Sequence, residues 1–245
     1  MAGRIALLCP VRGRPHYLDD FVASIAATAE RPERLSLMFY ADADDPKLTE
    51  YHITEQQLIH RYADSFAIRF LYGDPIGTPR AINAMYEQSD ADIFMIANDD
   101  LAFVTRGWDR RVDETAAGLP DGIFNIWFDD GVYGEQLSCY PFLGRRWCEA
   151  LGYVVPVLFE HYVVDHWLHH LGRFVNRNRF LPDVQISHRH NAAAADEPDF
   201  AWQKDGKLKR SMDRDNEVFR RSERYLRLDA EVLKKAIADY VPGMD

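Results

Sequence analysis

Asn98-Asp99-Asp100 follows directly on the apolar run Ile93-Phe94-Met95-Ile96-Ala97, which places two adjacent carboxylates at the end of a buried strand. Carboxylates so placed suit a divalent cation, because Mg²⁺ and Mn²⁺ take hard oxygen ligands and share their shell with substrate phosphates. The tripeptide therefore points to a phosphate-bearing substrate. The competing reading is a strand-ending turn, which Asp and Asn favour for local hydrogen-bonding reasons. His188-Arg189-His190 is a second candidate, with two imidazoles at i and i+2 after the expected strand Asp183 to Ser187. Alternate residues of a strand share a face. A mixed shell of carboxylate and imidazole suits Mn²⁺ better than Ca²⁺.

These residues need elements that bring them together. Ile5 to Cys9, Leu35 to Ala41, Ile68 to Tyr72 and Ile93 to Ala97 are short apolar runs of strand length. Helical spacing occupies Tyr17 to Ala29, about Ile53 to Tyr62, and Thr78 to Gln88. Alternation of this kind, with near-continuous apolar strands, predicts a parallel sheet covered on both faces. Ligands of such sheets gather beyond the carboxyl ends of the strands. Arg12, Asp42, Asp44, Asp74, Asp99 and Asp100 all follow strand ends and so fall on that edge.

After Trp108 the alternation weakens. Strands are expected at Ile123 to Phe128 and Leu137 to Phe142, and helices at Arg145 to Leu151 and Val163 to Leu171. No low-complexity linker divides the chain. From Lys204 to Lys235 eleven Lys or Arg stand against seven Asp or Glu in largely helical sequence. A solvated helix face is the ordinary explanation, and a phosphate-binding surface the alternative.

The chain has 245 residues, with 29 basic and 39 acidic side chains and a net charge of −10. That balance argues against wholesale non-specific binding to nucleic acid or an anionic membrane. A chain of this length buries roughly three quarters of its unfolded surface and needs no disulfide staple. Cys9, Cys139 and Cys148 are an odd number without metal-site spacing, as expected of free thiols in a reducing compartment. With no apolar stretch near 20 residues, the expectation is a cytoplasmic protein without membrane insertion.

The order of these motifs resembles that of GT-A-type glycosyltransferases, the nucleotide-sugar-dependent enzymes related to the large family 2 group. Carrying the resemblance are the strand end Pro10-Val11-Arg12, Asp42 and Asp44, the helix start Gly77-Thr78-Pro79-Arg80-Ala81-Ile82-Asn83, Asn98-Asp99-Asp100, the acidic stretch near Glu160 to Asp165, and the late His188. It spans about residues 4 to 200 and lies in order and spacing rather than in any single signature. The resemblance implies an α/β fold of the GT-A, Rossmann-like kind: a mostly parallel central sheet flanked by helices, an α+β acceptor half and C-terminal helices. The implied organisation is one domain over 1–203, with a nucleotide-binding half (1–104) and an acceptor half (105–203), followed by a helical extension over 204–245.

The resemblance also implies roles. Pro10 and Arg12 would border the uracil or guanine and its ribose. Asp42 or Asp44 would accept a hydrogen bond from the base. Arg80 and Asn83 would lie under the nucleotide, where Arg offers a planar fork for phosphate. Asp100 would ligate Mn²⁺ or Mg²⁺, with Asp99 or Asn98 contacting ribose or a metal-bound water, and His188 would be the distant ligand with His190 as its fallback. An Asn in the first place of the usual Asp-x-Asp leaves the diphosphate a larger share of the metal shell. In inverting members a carboxylate at a helix start is the general base, a role that falls to Asp165 with Glu160 as competitor.

The expected activity is metal-dependent transfer of a sugar from a nucleoside diphosphate sugar, UDP-linked in preference to GDP-linked, to an acceptor hydroxyl. The acceptor is open, and the basic tail admits DNA. The nearest rival is a sugar-phosphate nucleotidyltransferase, but Pro10-Val11-Arg12-Gly13-Arg14-Pro15 has one glycine where a phosphate-cradling loop needs several. A non-catalytic nucleotide-sugar-binding protein of the same fold is the other alternative.

Overall fold

A computed structural model describes residues 3–188 and 207–243. Its first half follows the expected alternation: β1 (Ile5–Val11), α1 (Tyr17–Thr28), β2 (Leu35–Asp42), α2 (Leu48–Tyr62), β3 (Ala67–Gly73), α3 (Thr78–Glu87) and β4 (Ile93–Ile96). Then come β5 (Leu101–Phe103), α4 (Trp108–Ala117), β6 (Asn125–Asp129), β7 (Phe142–Gly144), α5 (Arg145–Leu151), α6 (Val164–Phe174) and β8 (Asn178–His188). Two further helices, α7 (Lys207–Arg221) and α8 (Glu223–Ala238), complete the described chain.

The eight strands form one sheet in the order β3-β2-β1-β4-β7-β6-β8-β5. β3, β2, β1 and β4 are parallel to one another, and β7 runs antiparallel to both β4 and β6. Apolar strand residues divide by parity. Ile5, Leu7, Cys9 and Val11 enter one core with Phe21 and Ile25 of α1, Tyr51 of α2 and Trp108 of α4. Ala6 and Leu8 enter the other, with Ile82 of α3, Trp147 of α5 and Trp167 of α6. Burial on both faces explains why the strands read as unbroken apolar runs.

Sequence and structure part in the second half. Leu137 to Phe142 is not one strand: Tyr140 has φ +51° and Pro141 follows it, so β7 begins only at Phe142. β5, three residues long, carries too little pattern to be read. The helical extension is packed into the domain, with Leu226, Ala230 and Leu233 of α8 buried in the second core. All three cysteines are free and buried.

Candidate functional site at the carboxyl edge of the sheet

The chain leaves β1 for β2 and β3 on one side and returns to place β4 on the other, so the crevice beyond β1 and β4 is the switch point where open α/β sheets bind ligands. Pro10 lies two residues past Leu8, whose partner Ile96 is the last along β4. A proline is tolerated there because the ladder on that side has ended.

Arg12 and Arg14 leave β1 in different directions. Arg12 Nη1 donates to Asp42 Oδ2 at 2.7 Å and to Asp44 Oδ1 at 2.6 Å, which ties the end of β1 to the end of β2. Burial raises the Asp42 carboxyl above its usual range, against the pull of Arg12. Asp45, itself buried, accepts from the backbone N–H groups of Gly13 at 2.7 Å and Lys47 at 2.7 Å, fixing the loop between them.

Arg14 forks across the acidic pair, with Nη2 2.6 Å from Asp99 Oδ1 and Nη1 3.2 Å from Asp100 Oδ2. Both carboxylates are almost fully buried, at 2% and 1% exposure. Burial, reinforced by the neighbouring charge of Asp100 and opposed by Arg14, pushes Asp99 up to about 7. Arg14 is not among the residues singled out from the sequence; its place two residues beyond Arg12, at the end of the central strand, was the available signal.

β5 explains how a residue 88 positions away reaches Asp100. It pairs antiparallel with β8 so that Leu101 faces His188, and His188 Nε2 lies 3.0 Å from Asp100 Oδ1. His190 lies outside the described residues. Among the described residues no set of three or more His, Cys, Asp or Glu side chains gathers as a metal cluster. The pair Asp100 and His188, beside the buried Asp99 Oδ2 that has no hydrogen-bond partner among the described residues, has the mixed carboxylate and imidazole chemistry that could hold a divalent ion.

α3 starts at the same edge. Gly77 precedes it at φ +81°, a left-handed conformation that favours glycine, and Arg80 in the first turn is exposed. Asn83 is occupied elsewhere. Its Oδ1 accepts from the N–H of Val154 at 2.9 Å and of Val155 at 3.2 Å, and its Nδ2 donates to Val155 O at 2.8 Å. It brackets the segment between α5 and α6, with its amide turned to backbone rather than to ligand.

Asp165 stands in the first turn of α6 and pairs with His166 Nδ1 at 3.0 Å, which raises the His166 pKa. Cys139 Sγ is 4.0 Å from Asp165 Oδ2, and Tyr140 feels the charges of both Asp100 and Asp165. The loop Cys139-Tyr140 thus spans the interval between the acidic pair and α6. Glu160 is engaged by α7, accepting from Ser211 Oγ at 2.9 Å and pairing with Arg214 Nε at 3.3 Å. Trp127, Trp147 and Trp167 are buried, as core residues are, rather than lining the crevice.

No protein-family model matches the sequence, and no curated protein matches it in sequence. Solved structures do match. The mannosyltransferase PcManGT from Pyrobaculum calidifontis, in complex with GDP-Man and Mn²⁺, aligns with a TM-score of 0.62 at 13% identity, over 98% of this chain and 77% of that one. S. aureus TarS 1-349 with UDP aligns with a TM-score of 0.56 at 9% identity, over 75% of this chain. The same protein with UDP-GlcNAc gives 0.52 at 11% identity, over 76% of this chain. This chain spans about 60% of the TarS chains. Among the described residues no helix is long and apolar enough to cross a membrane. The switch-point crevice, the mixed sheet and these alignments agree on one fold, the Rossmann-like GT-A architecture of nucleotide-sugar glycosyltransferases.

Proposed function

We propose that the chain transfers a sugar from a nucleoside diphosphate sugar to an acceptor hydroxyl with inversion at the anomeric carbon. The observation that carries this reading is the buried Asp99–Asp100 pair, forked by Arg14 and met by His188, at the sheet's switch point. Asp100 and His188 would hold Mn²⁺ or Mg²⁺, with His190 as fallback for the imidazole. When bound, such an ion offsets the negative charge that grows on the leaving diphosphate.

The chain's own residues supply the rest. Pro10 and Arg12 border the base and ribose of a nucleoside diphosphate sugar, UDP-linked in preference to GDP-linked, and Asp42 or Asp44 accepts the imide N–H of uracil. Asp99 or Asn98 contacts the ribose or a metal-bound water. Arg80, with the N-terminal end of α3, faces the diphosphate. Asp165 takes the proton from the acceptor hydroxyl as its oxygen attacks the anomeric carbon, and the bond to the diphosphate breaks on the opposite face. General base catalysis of this kind contributes about 10²- to 10⁴-fold. Asp165 is preferred to Glu160 because Ser211 and Arg214 draw the Glu160 carboxylate to α7, whereas Asp165 stands in the first turn of α6 beside Cys139, next to the Tyr140 that neighbours the acidic pair. The basic residues of the tail support a DNA acceptor weakly, since Arg221, Arg227 and Lys234 pair with acids of their own helices.

Calorimetric titration of UDP and GDP, with and without Mn²⁺, tests the donor site. Metal-dependent binding that weakens at least about tenfold in both Asp100→Asn and His188→Ala is expected, a change of roughly 1.4 kcal/mol. Binding of neither nucleotide under any condition would overturn the assignment.

A further inference from the structure

The loop before α6 is held by a carboxylate from the far end of the chain. Asp215 of α7 has no exposed surface. Its oxygens accept from three successive backbone N–H groups, those of Glu160 at 2.9 and 3.1 Å, His161 at 2.9 Å and Tyr162 at 2.8 Å. Consecutive N–H groups converging on one point form a concave anion site, and here the anion is the protein's own. Arg214 Nη1 lies 2.8 Å from Asp215 Oδ1, and the same guanidinium pairs with Glu160 while Ser211 Oγ reaches the other Glu160 oxygen. Residues 211, 214 and 215 stand at i, i+3 and i+4, so one face of α7 carries the whole grip.

The opposite side of the loop is anchored too. His161 Nδ1 lies 3.0 Å from Thr78 Oγ1, the first residue of α3. Between these anchors and α6 stands Val163 at φ +61°, a conformation that costs a β-branched residue on the order of 1–3 kcal/mol and persists only where its surroundings over-determine it. Two residues later comes Asp165. The sequence from 160 to 165 contains no glycine, and its first three amides all donate to Asp215.

We infer that Asp215 is a positioning residue: through the amides of Glu160, His161 and Tyr162 it sets the angle at which the first turn of α6 presents Asp165. This rests on the reading of Asp165 as the general base. An amide in place of the carboxylate offers one acceptor oxygen and two N–H groups that oppose the loop's donors, so the loop loses its aim while α7 keeps its volume.

The test uses the full chain and release of nucleoside diphosphate from UDP-GlcNAc or GDP-mannose, with water as acceptor. Asp215→Asn is expected to lower kcat about ten- to hundredfold, the scale of a misplacement near 1 Å, with donor KM within about twofold. In an Asp165→Asn background the same substitution is expected to add nothing, since coupled residues are non-additive. An unchanged kcat, a rise confined to KM, or full additivity overturns the inference. If Asp215→Asn does not fold, Ser211→Ala with Arg214→Gln loosens the same grip through its Glu160 contacts, and an unchanged kcat there overturns it equally. Amide exchange at 160–162 gives an arm independent of catalysis. Faster exchange there in Asp215→Asn is expected, and unchanged exchange overturns the inference. Failure of the functional reading looks different: the unaltered chain releases no nucleoside diphosphate, or Asp165→Asn retains turnover.

Discussion

At the ends of β1 and β4 the polar side chains meet one another directly, each within a few residues of its own strand, whereas the loop before α6 takes its shape from Asp215, more than fifty residues away in sequence. The first region is assembled by topology. Parallel strands with fixed register bring Arg12, Arg14, Asp42, Asp99 and Asp100 to one edge, and charge pairing does the rest. The second is assembled by a clamp, in which α7, whose Phe219 packs on Trp167 and His170 of α6, supplies the acceptor for amides that would otherwise turn to water. On the proposed function, donor-side chemistry would be built into the sheet, and acceptor-side chemistry would hang on α7.

Four measurements break or sharpen that contrast. Asp165→Asn should lower kcat by about 10²- to 10⁴-fold while leaving nucleotide affinity nearly intact; equal turnover in steady-state assays would remove Asp165 from the chemistry. Arg14→Gln leaves Asp99 and Asp100 buried without their guanidinium, and loss of one partner of a buried pair costs about 3–5 kcal/mol. Urea denaturation reads that loss, and a variant as stable as the parent would mean that the crevice does not depend on this pairing. Gly172→Ala places a Cβ 1.7 Å from Asn178 Oδ1, which accepts a hydrogen bond from Asn125 Nδ2; overpacking of this kind costs about 1–3 kcal/mol. Its thermal midpoint should fall while the nucleotide affinity of the folded fraction holds.

The smallest effect concerns pH. Burial, with neighbouring His170 and Arg173, lowers the His169 pKa to about 4, and its Nδ1 accepts the N–H of Ser138. The folded pKa lies below the unfolded value of about 6.5, so this contribution is fully present above pH 6.5 and is lost as pH falls toward 4. Thermal midpoints should decline over that window, and His169→Asn, whose carbonyl can accept the same N–H, should flatten the decline by a few degrees. An identical slope in both proteins would assign the acid sensitivity to other groups.

What could be read in advance follows the same division. Parity of apolar residues in β1, β2 and β4 is a local property, and so is the tendency of Asp and Arg to follow strand ends; both survive in the primary sequence. Helix bounds such as Arg145–Leu151 were legible for the same reason. The pairing of His188 with Asp100 depends on the three-residue β5, too short for any periodic signal. Asn83 read as a ligand residue because its type and place fit one, yet its amide is satisfied by Val154 and Val155, a contact that no pattern within α3 announces. The tail read as a charged helix face because its cations are frequent, while Asp215, Leu226 and Leu233 on the other faces carry its packing.

The three buried thiols have a practical consequence. Burial raises the pKa of each well above that of a free thiol, so little reactive thiolate exists in the folded state. Alkylating reagents then modify each sulfur only when its surroundings open, and the rate becomes a local clock. Cys9 lies beside Asp99, Cys139 beside Asp165, and Cys148 in the core of α5. The unaltered chain therefore carries three timers, one at each region compared above and one in the scaffold between them, which nucleotide should slow to different degrees.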